Sequence, residues 1–120
     1  MKSLIIVFLV TLGSLFFLQP LYAQVAAKGI TTVEFNVDGV CGMCKSRIEN
    51  AALIKGVKMA EWNQKSHILK VVYDANKISE KEVHEAVSQS GHDTEKIKAS
   101  DETYKKLPAC CAFRDGAESH

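Results

Sequence analysis

Ile30-Thr31-Thr32-Val33-Glu34-Phe35-Asn36-Val37 reads as a β-strand, with hydrophobic Val33, Phe35 and Val37 separated by polar Glu34 and Asn36. From about Cys44 to Ile54 the period changes. Cys44, Ile48, Ala51 and Ala52 fall at i, i+4, i+7 and i+8, one apolar stripe of a helix. Gly56-Val57 stops that helix and begins a second strand. Val57 to Asn63 and His67 to Asp74 are both strand-like, and the polar Gln64-Lys65-Ser66 between them suits a hairpin. Leu69, Val71 and Tyr73 alternate with Lys70 and Val72, which points the first three to one face. Ser79-Glu80-Lys81-Glu82 has the form of a capping box, a hydroxyl and a carboxylate placed to satisfy the first free N–H groups of a helix. It predicts a helix from Glu80 to about Ser90 that buries Val83, Ala86 and Val87. Gly91 ends it, and Thr94 to Ala99 is expected as a last short strand. The order β-α-β-β-α-β predicts an α+β fold, an antiparallel sheet with both helices on one face.

The first 23 residues read differently. Lys2 is followed by a run of mostly Leu, Ile, Val and Phe from Leu4 to Leu18, then by Gln19-Pro20-Leu21-Tyr22-Ala23. That is the layout of a secretory signal peptide cleaved before Gln24. The alternative, a retained anchor, would need roughly 20 apolar residues, and Pro20 interrupts the run too early. The expectation is a periplasmic or secreted protein, with a domain at 24–100 and a C-terminal tail at 101–120 that carries a cysteine pair. Removal of Lys2 leaves 14 basic against 14 acidic residues. A neutral chain argues against nucleic acid and against an anionic membrane surface as partners. The four cysteines sit at 41, 44, 110 and 111, which is a poor distribution for a disulfide framework.

Cys41-Gly42-Met43-Cys44 lies between the first strand and the first helix. Two thiols at this spacing can close on a soft cation or on each other. A helix N-terminus presents unpaired N–H groups and partial positive charge, which favour thiolate over thiol. Thiolates select Cu(I), Hg(II) and Zn(II), and two sulfurs alone suit Cu(I) and Hg(II), because a closed zinc site wants four ligands.

Taken together, Cys41-x-x-Cys44 after the first strand, Ile48, Gly56-Val57, Val71-x-Tyr73-Asp74 and Gly91-His92-Asp93 resemble the heavy-metal-associated domain, from about Thr31 to Ser100. This is the ferredoxin-like module of copper chaperones, soft-metal pump ATPases and periplasmic mercury-binding proteins. The resemblance implies a βαββαβ sandwich, with Cys41 and Cys44 as metal ligands. It also implies a loop at His92 beside the metal loop, where the imidazole supports a thiolate or adds a ligand. The family usually has Met two residues before the first cysteine. Here Gly39 stands there and Met43 lies between the cysteines, which implies a looser loop.

The resulting expectation is a monomeric, non-enzymatic carrier of soft metal. Its expected cargo is Cu(I) first and Hg(II) second, with Zn(II) as a further candidate, and it passes the ion to a metal-transporting membrane protein or P-type ATPase. Three alternatives stand beside it: the Hg(II)-binding periplasmic component of a mercury-resistance system, a thiol–disulfide oxidoreductase, and a metal-free interaction module. Against redox catalysis, Pro20 and Pro108 are the only prolines, and a thioredoxin-like site has one facing its cysteines. Haem attachment would need His where Lys45 stands. Cys110 and Cys111 are candidate extra ligands or candidates for oxidation with Cys41 or Cys44. His67, His84 on the polar helix face and His120 are expected to be structural or solvent-exposed.

Overall fold

The computed structural model describes residues 29–117. The leader expected at 1–23 and His120 lie outside the described residues. Strand β1 (Ile30–Asn36), helix α1 (Gly42–Ala52), strands β2 (Val57–Trp62) and β3 (Ile68–Asp74), helix α2 (Glu80–Gln89) and a short helix α3 (Asp101–Lys105) follow in order. Two 3₁₀ turns close the described chain, at Ala109–Cys111 and Phe113–Asp115. The sheet is antiparallel with order β1-β3-β2, so β3 is central. Phe35 faces Leu69 across one ladder and Trp62 faces Leu69 across the other.

Alternation decides which side is buried. Phe35, Leu69, Val71 and Tyr73 go inward with Trp62, while Glu34, Lys70 and Glu61 stay outside. Cys44, Ile48 and Ala52 of α1 and Val83 and Val87 of α2 cover that one face. Ala51 and Ala86, expected in the same stripes, are half-buried at their edges. The capping box of α2 forms as its sequence predicts. Ser79 Oγ accepts from Glu82 N–H, and the Glu82 carboxylate accepts from Ser79 N–H at 2.7 Å. Among the described residues, no helix is long and apolar enough to cross a membrane.

The expected last strand is reduced to a single bridge, Val37 with Thr94. Side chains account for this. Thr94 Oγ1 accepts from Ile97 N–H at 2.9 Å, and Asp93 Oδ1 accepts from Ala99 N–H at 2.7 Å. Donors that would extend a ladder are spent on a local turn. His84 is structural, as one of its two expected roles had it, but it does not lie on a polar face. It is fully buried, stacked on Phe35 with ring centroids 3.8 Å apart, and its Nδ1 lies 2.7 Å from Thr94 Oγ1.

Gly39 does not leave the loop loose. A Cβ there would stand 2.9 Å from two ring carbons of Trp62 and 3.0 Å from Ile48 Cδ1. The buried indole fills the space beneath the loop, and its Nε1–H donates to Val37 O at 3.0 Å. Gly39→Ala is therefore expected to overpack this contact and cost about 1–3 kcal/mol of stability. A chemical unfolding midpoint identical to wild type would show that Trp62 yields freely.

Candidate metal centre

The site is built where β1 ends and α1 begins. Val37 N–H donates to His67 O and Asp38 N–H donates to Asp93 O, each at 2.8 Å, so the departing chain is pinned to both neighbouring turns. His92, fully buried, places Nδ1 2.8 Å from Asp38 O. A carbonyl only accepts, so Nδ1 carries the ring proton. Cys41 is the N-cap residue of α1, in extended conformation, and Cys44 is fully buried in the first turn. Neither acidic residues nor a capping side chain compete for the N–H groups there.

Three sulfurs meet at this end of the molecule. The Sγ atoms of Cys41, Cys44 and Cys111 all lie within 4.8 Å of one another, and all three residues are buried. Cys111 arrives from the 3₁₀ turn that follows Pro108. Cys110 does not join the group. Its thiol faces Met43 Sδ at 3.5 Å, and its carbonyl accepts from the Cys41 thiol at 3.6 Å. His92 also stays outside the group of three. All four cysteines are free thiols.

The electrostatics differ from one thiol to the next. Burial acts to raise Cys41. The backbone N–H groups of Cys44 and Met43, together with hydrogen bonds to the thiols of Cys110 and Cys44, outweigh it and hold Cys41 below its ordinary value. Burial, and then the neighbouring Cys44 thiol, push Cys111 far upward. Cys41 is thus readier than Cys111 to act as a thiolate. The nearby cations are already engaged. Lys45 pairs with Glu49 and donates to Trp62 O at 3.1 Å, and Arg47 reaches Ser90 O at 3.5 Å.

Residues 34–93 match the model of the heavy-metal-associated domain, half of the chain. The chain belongs to the heavy-metal-associated domain family. The copper chaperone CopZ of Staphylococcus aureus (strain MRSA252) is 38% identical over 60 residues, covering 48% of this chain and 88% of CopZ. A solved CopZ metallochaperone superposes with a TM-score of 0.52 at 33% identity, over 53% of this chain and 98% of that one. The N-terminal domain of a potential copper-translocating P-type ATPase from Bacillus subtilis, solved in the Cu(I)-loaded state, gives 0.51 at 30% identity, over 54% and 84%. This heavy-metal-associated domain is therefore copper-chaperone-like, and its three buried sulfurs are a donor set that fits a soft cation.

Sequence reasoning missed Trp62 beneath the loop and the residues that bring Cys111 in. Arg114 is the chief of these. Its Nη2 donates to Asp93 Oδ1 at 2.6 Å and to Ala99 O at 2.8 Å. A single arginine in a tail gives no signal of its partner 21 residues away.

His92 yields a prediction with a definite sign. Burial, and then the Arg47 guanidinium, lower its pKa, against the Asp38 carbonyl and the Asp93 carboxylate, which act to raise it. The unfolded chain takes up a proton at this ring as the pH falls through about 6.5, and the native ring does so only at lower pH. Stability contributed at this position is unaffected above that pH and declines below it, until the native ring also protonates. His92→Phe should lose that part of the pH dependence, at a fixed cost of about 1–3 kcal/mol for leaving Asp38 O unpaired. Urea unfolding from about pH 8 to about pH 5 checks this. Parallel stability curves for the two proteins would refute it.

Proposed function

We propose that this protein is an exported carrier of Cu(I) that takes the ion on the thiolates of Cys41 and Cys44. It surrenders the ion to a metal-transporting membrane protein, for which a P-type ATPase is the fitting class. One observation carries the reading: two thiols held together at a helix N-terminus, one of them below its ordinary pKa. The likeness to copper chaperones named CopZ supports copper as the cargo, and the likeness to an ATPase domain supports the class of recipient. The leader-like first 23 residues support a periplasmic location.

The chemistry follows from softness and access. Sulfur binds Cu(I) well at low coordination, and a low-coordinate ion can be approached by a further thiolate without first being stripped. Gly42 and Met43 between the cysteines are exposed, Met43 by 53%, so the metal loop meets solvent on that side. A carrier of this kind needs no catalytic group. It needs reduced sulfurs, since a Cys41–Cys44 disulfide has no thiolate to offer.

Native mass spectrometry of the reduced protein should show one Cu(I) per chain. Cys41→Ser and Cys44→Ser should each release it to a competing chelator, and air-oxidised protein should bind little until reduced. Retention of Cu(I) by both variants would place the site elsewhere. Tighter binding of Hg(II) or Zn(II) in the same titration, once competing ligands are matched, would change the cargo.

A further inference from the structure

The family match ends at Asp93, yet the third sulfur of the cluster belongs to Cys111. C-x-x-C spacing does not call for it, and the chain goes to some length to deliver it. Arg114 grips the domain with three hydrogen bonds, two to Asp93 and one to Ala99 O, and braces its own segment with a fourth to Asp101. Nη2 reaches Asp93 Oδ1 at 2.6 Å and Ala99 O at 2.8 Å, Nε reaches Asp93 Oδ2 at 3.3 Å, and Nη1 reaches Asp101 Oδ1 at 3.2 Å. Two parallel bonds from a guanidinium to one carboxylate set direction as well as energy. Tyr104 OH donates to Asp115 at 2.9 Å and accepts from Arg114 N–H at 3.0 Å. Phe113 lies between rings, stacked on His92 with centroids 5.8 Å apart and edge-on to Tyr104 at 5.1 Å. The same His92 holds Asp38 at the base of the metal loop. The tail and the loop are thus fastened to one side chain.

The sulfur separations suit a shared ion. Three thiolate–metal bonds of about 2.3 Å around one centre would set the sulfurs about 4 Å apart. All three sulfurs here lie within 4.8 Å of one another, and Cys111 has no exposure to water. Its neighbour Cys110 is turned outward to Met43, so only one of the adjacent pair is delivered.

We propose that Cys111 is the third thiolate of the loaded site and that residues 101–117 are a latch closed over the cargo. This rests on the soft-metal reading above and adds its regulation. With Cys41, Cys44 and Cys111 all bound, the ion leaves only by exchange. A bond forms from the metal to a partner's thiolate, the bond to Cys111 breaks, and Cys111 takes up the proton that the partner's thiol gave up; the same exchange at Cys44 and Cys41 then frees the ion. No oxidant or reductant is required. Arg114 and Phe113 hold the latch from outside the cluster, so it can open without disturbing the sheet. A latched carrier holds its ion more tightly and releases it more slowly than an open two-sulfur carrier.

The test uses the full reduced chain loaded with one equivalent of Cu(I). X-ray absorption should count three sulfurs in wild type and in Cys110→Ala, and two in Cys111→Ala. A competing chelator should strip Cys111→Ala at roughly ten- to hundredfold lower concentration, the scale on which even supporting groups matter to metal affinity. A small dithiol should also take the ion from it faster. Arg114→Ala keeps every sulfur but unfastens the tail, and should lose the third sulfur and release faster too. Two sulfurs in wild type, with Cys111→Ala binding equally well, would overturn the latch while leaving the carrier intact. Loss of the third sulfur in Cys110→Ala instead of Cys111→Ala would overturn the assignment. Unaltered Cu(I) binding by Cys41→Ser and Cys44→Ser would sink the carrier reading itself, a separate failure.

Discussion

The structure depends on how the chain passes from β1 to α1 through Val37 and Asp38. Both backbone polar groups of each residue are paired: Val37 with His67 O and the Trp62 indole, Asp38 with Asp93 O and the His92 ring. Trp62 and His67 flank the turn between β2 and β3, and His92 and Asp93 share the turn after α2, so two separate turns grip the loop. A buried amide left unpaired costs about 1–3 kcal/mol, so these four bonds together leave the loop one conformation. Gly39 then lets the backbone lie against the Trp62 ring, and Cys41 enters α1 with its thiol already near Cys44.

That arrangement explains why the thiols are unequal. Cys41 sits on the rim, where backbone N–H groups at the helix start can reach its sulfur, and these outweigh the cost of burial. Cys111 has no such donors, and burial governs it. The surroundings favour the thiolate at Cys41 and the neutral thiol at Cys111. Cys41 and Cys44 lie within the residues that match the heavy-metal-associated domain, and Cys111 lies past them.

Much of this was legible in the chain because the signals are local. The capping box at Ser79 and Glu82 needs only four residues, and the alternation through Leu69, Val71 and Tyr73 needs five. Cys41 and Cys44 could be placed at the helix start by their position after β1. The last strand could not be read correctly, because Asp93 and Thr94 look like ordinary strand-edge residues until their side chains take the N–H groups of Ala99 and Ile97. The placement of His84 on a polar face failed for the same reason, since its burial depends on Phe35 and Thr94, neither of them near it in the helical pattern. Cys110 and Cys111 were visible as a pair, but nothing local separates the one that turns inward from the one that turns out. The cause is Arg114 meeting Asp93, a contact between segments with independent patterns.

Trp62 has a practical meaning beyond packing. It is the chain's only tryptophan, it is buried, and its ring lies directly under Gly39, two residues before Cys41. Its indole donates to the same loop at Val37 O and stacks beside His67, with centroids 5.4 Å apart. Indole emission is sensitive to both hydrogen bonding and nearby polarizable atoms. The protein therefore carries one intrinsic fluorophore seated against its metal loop, and its native light output is an optical gauge of how that loop is held.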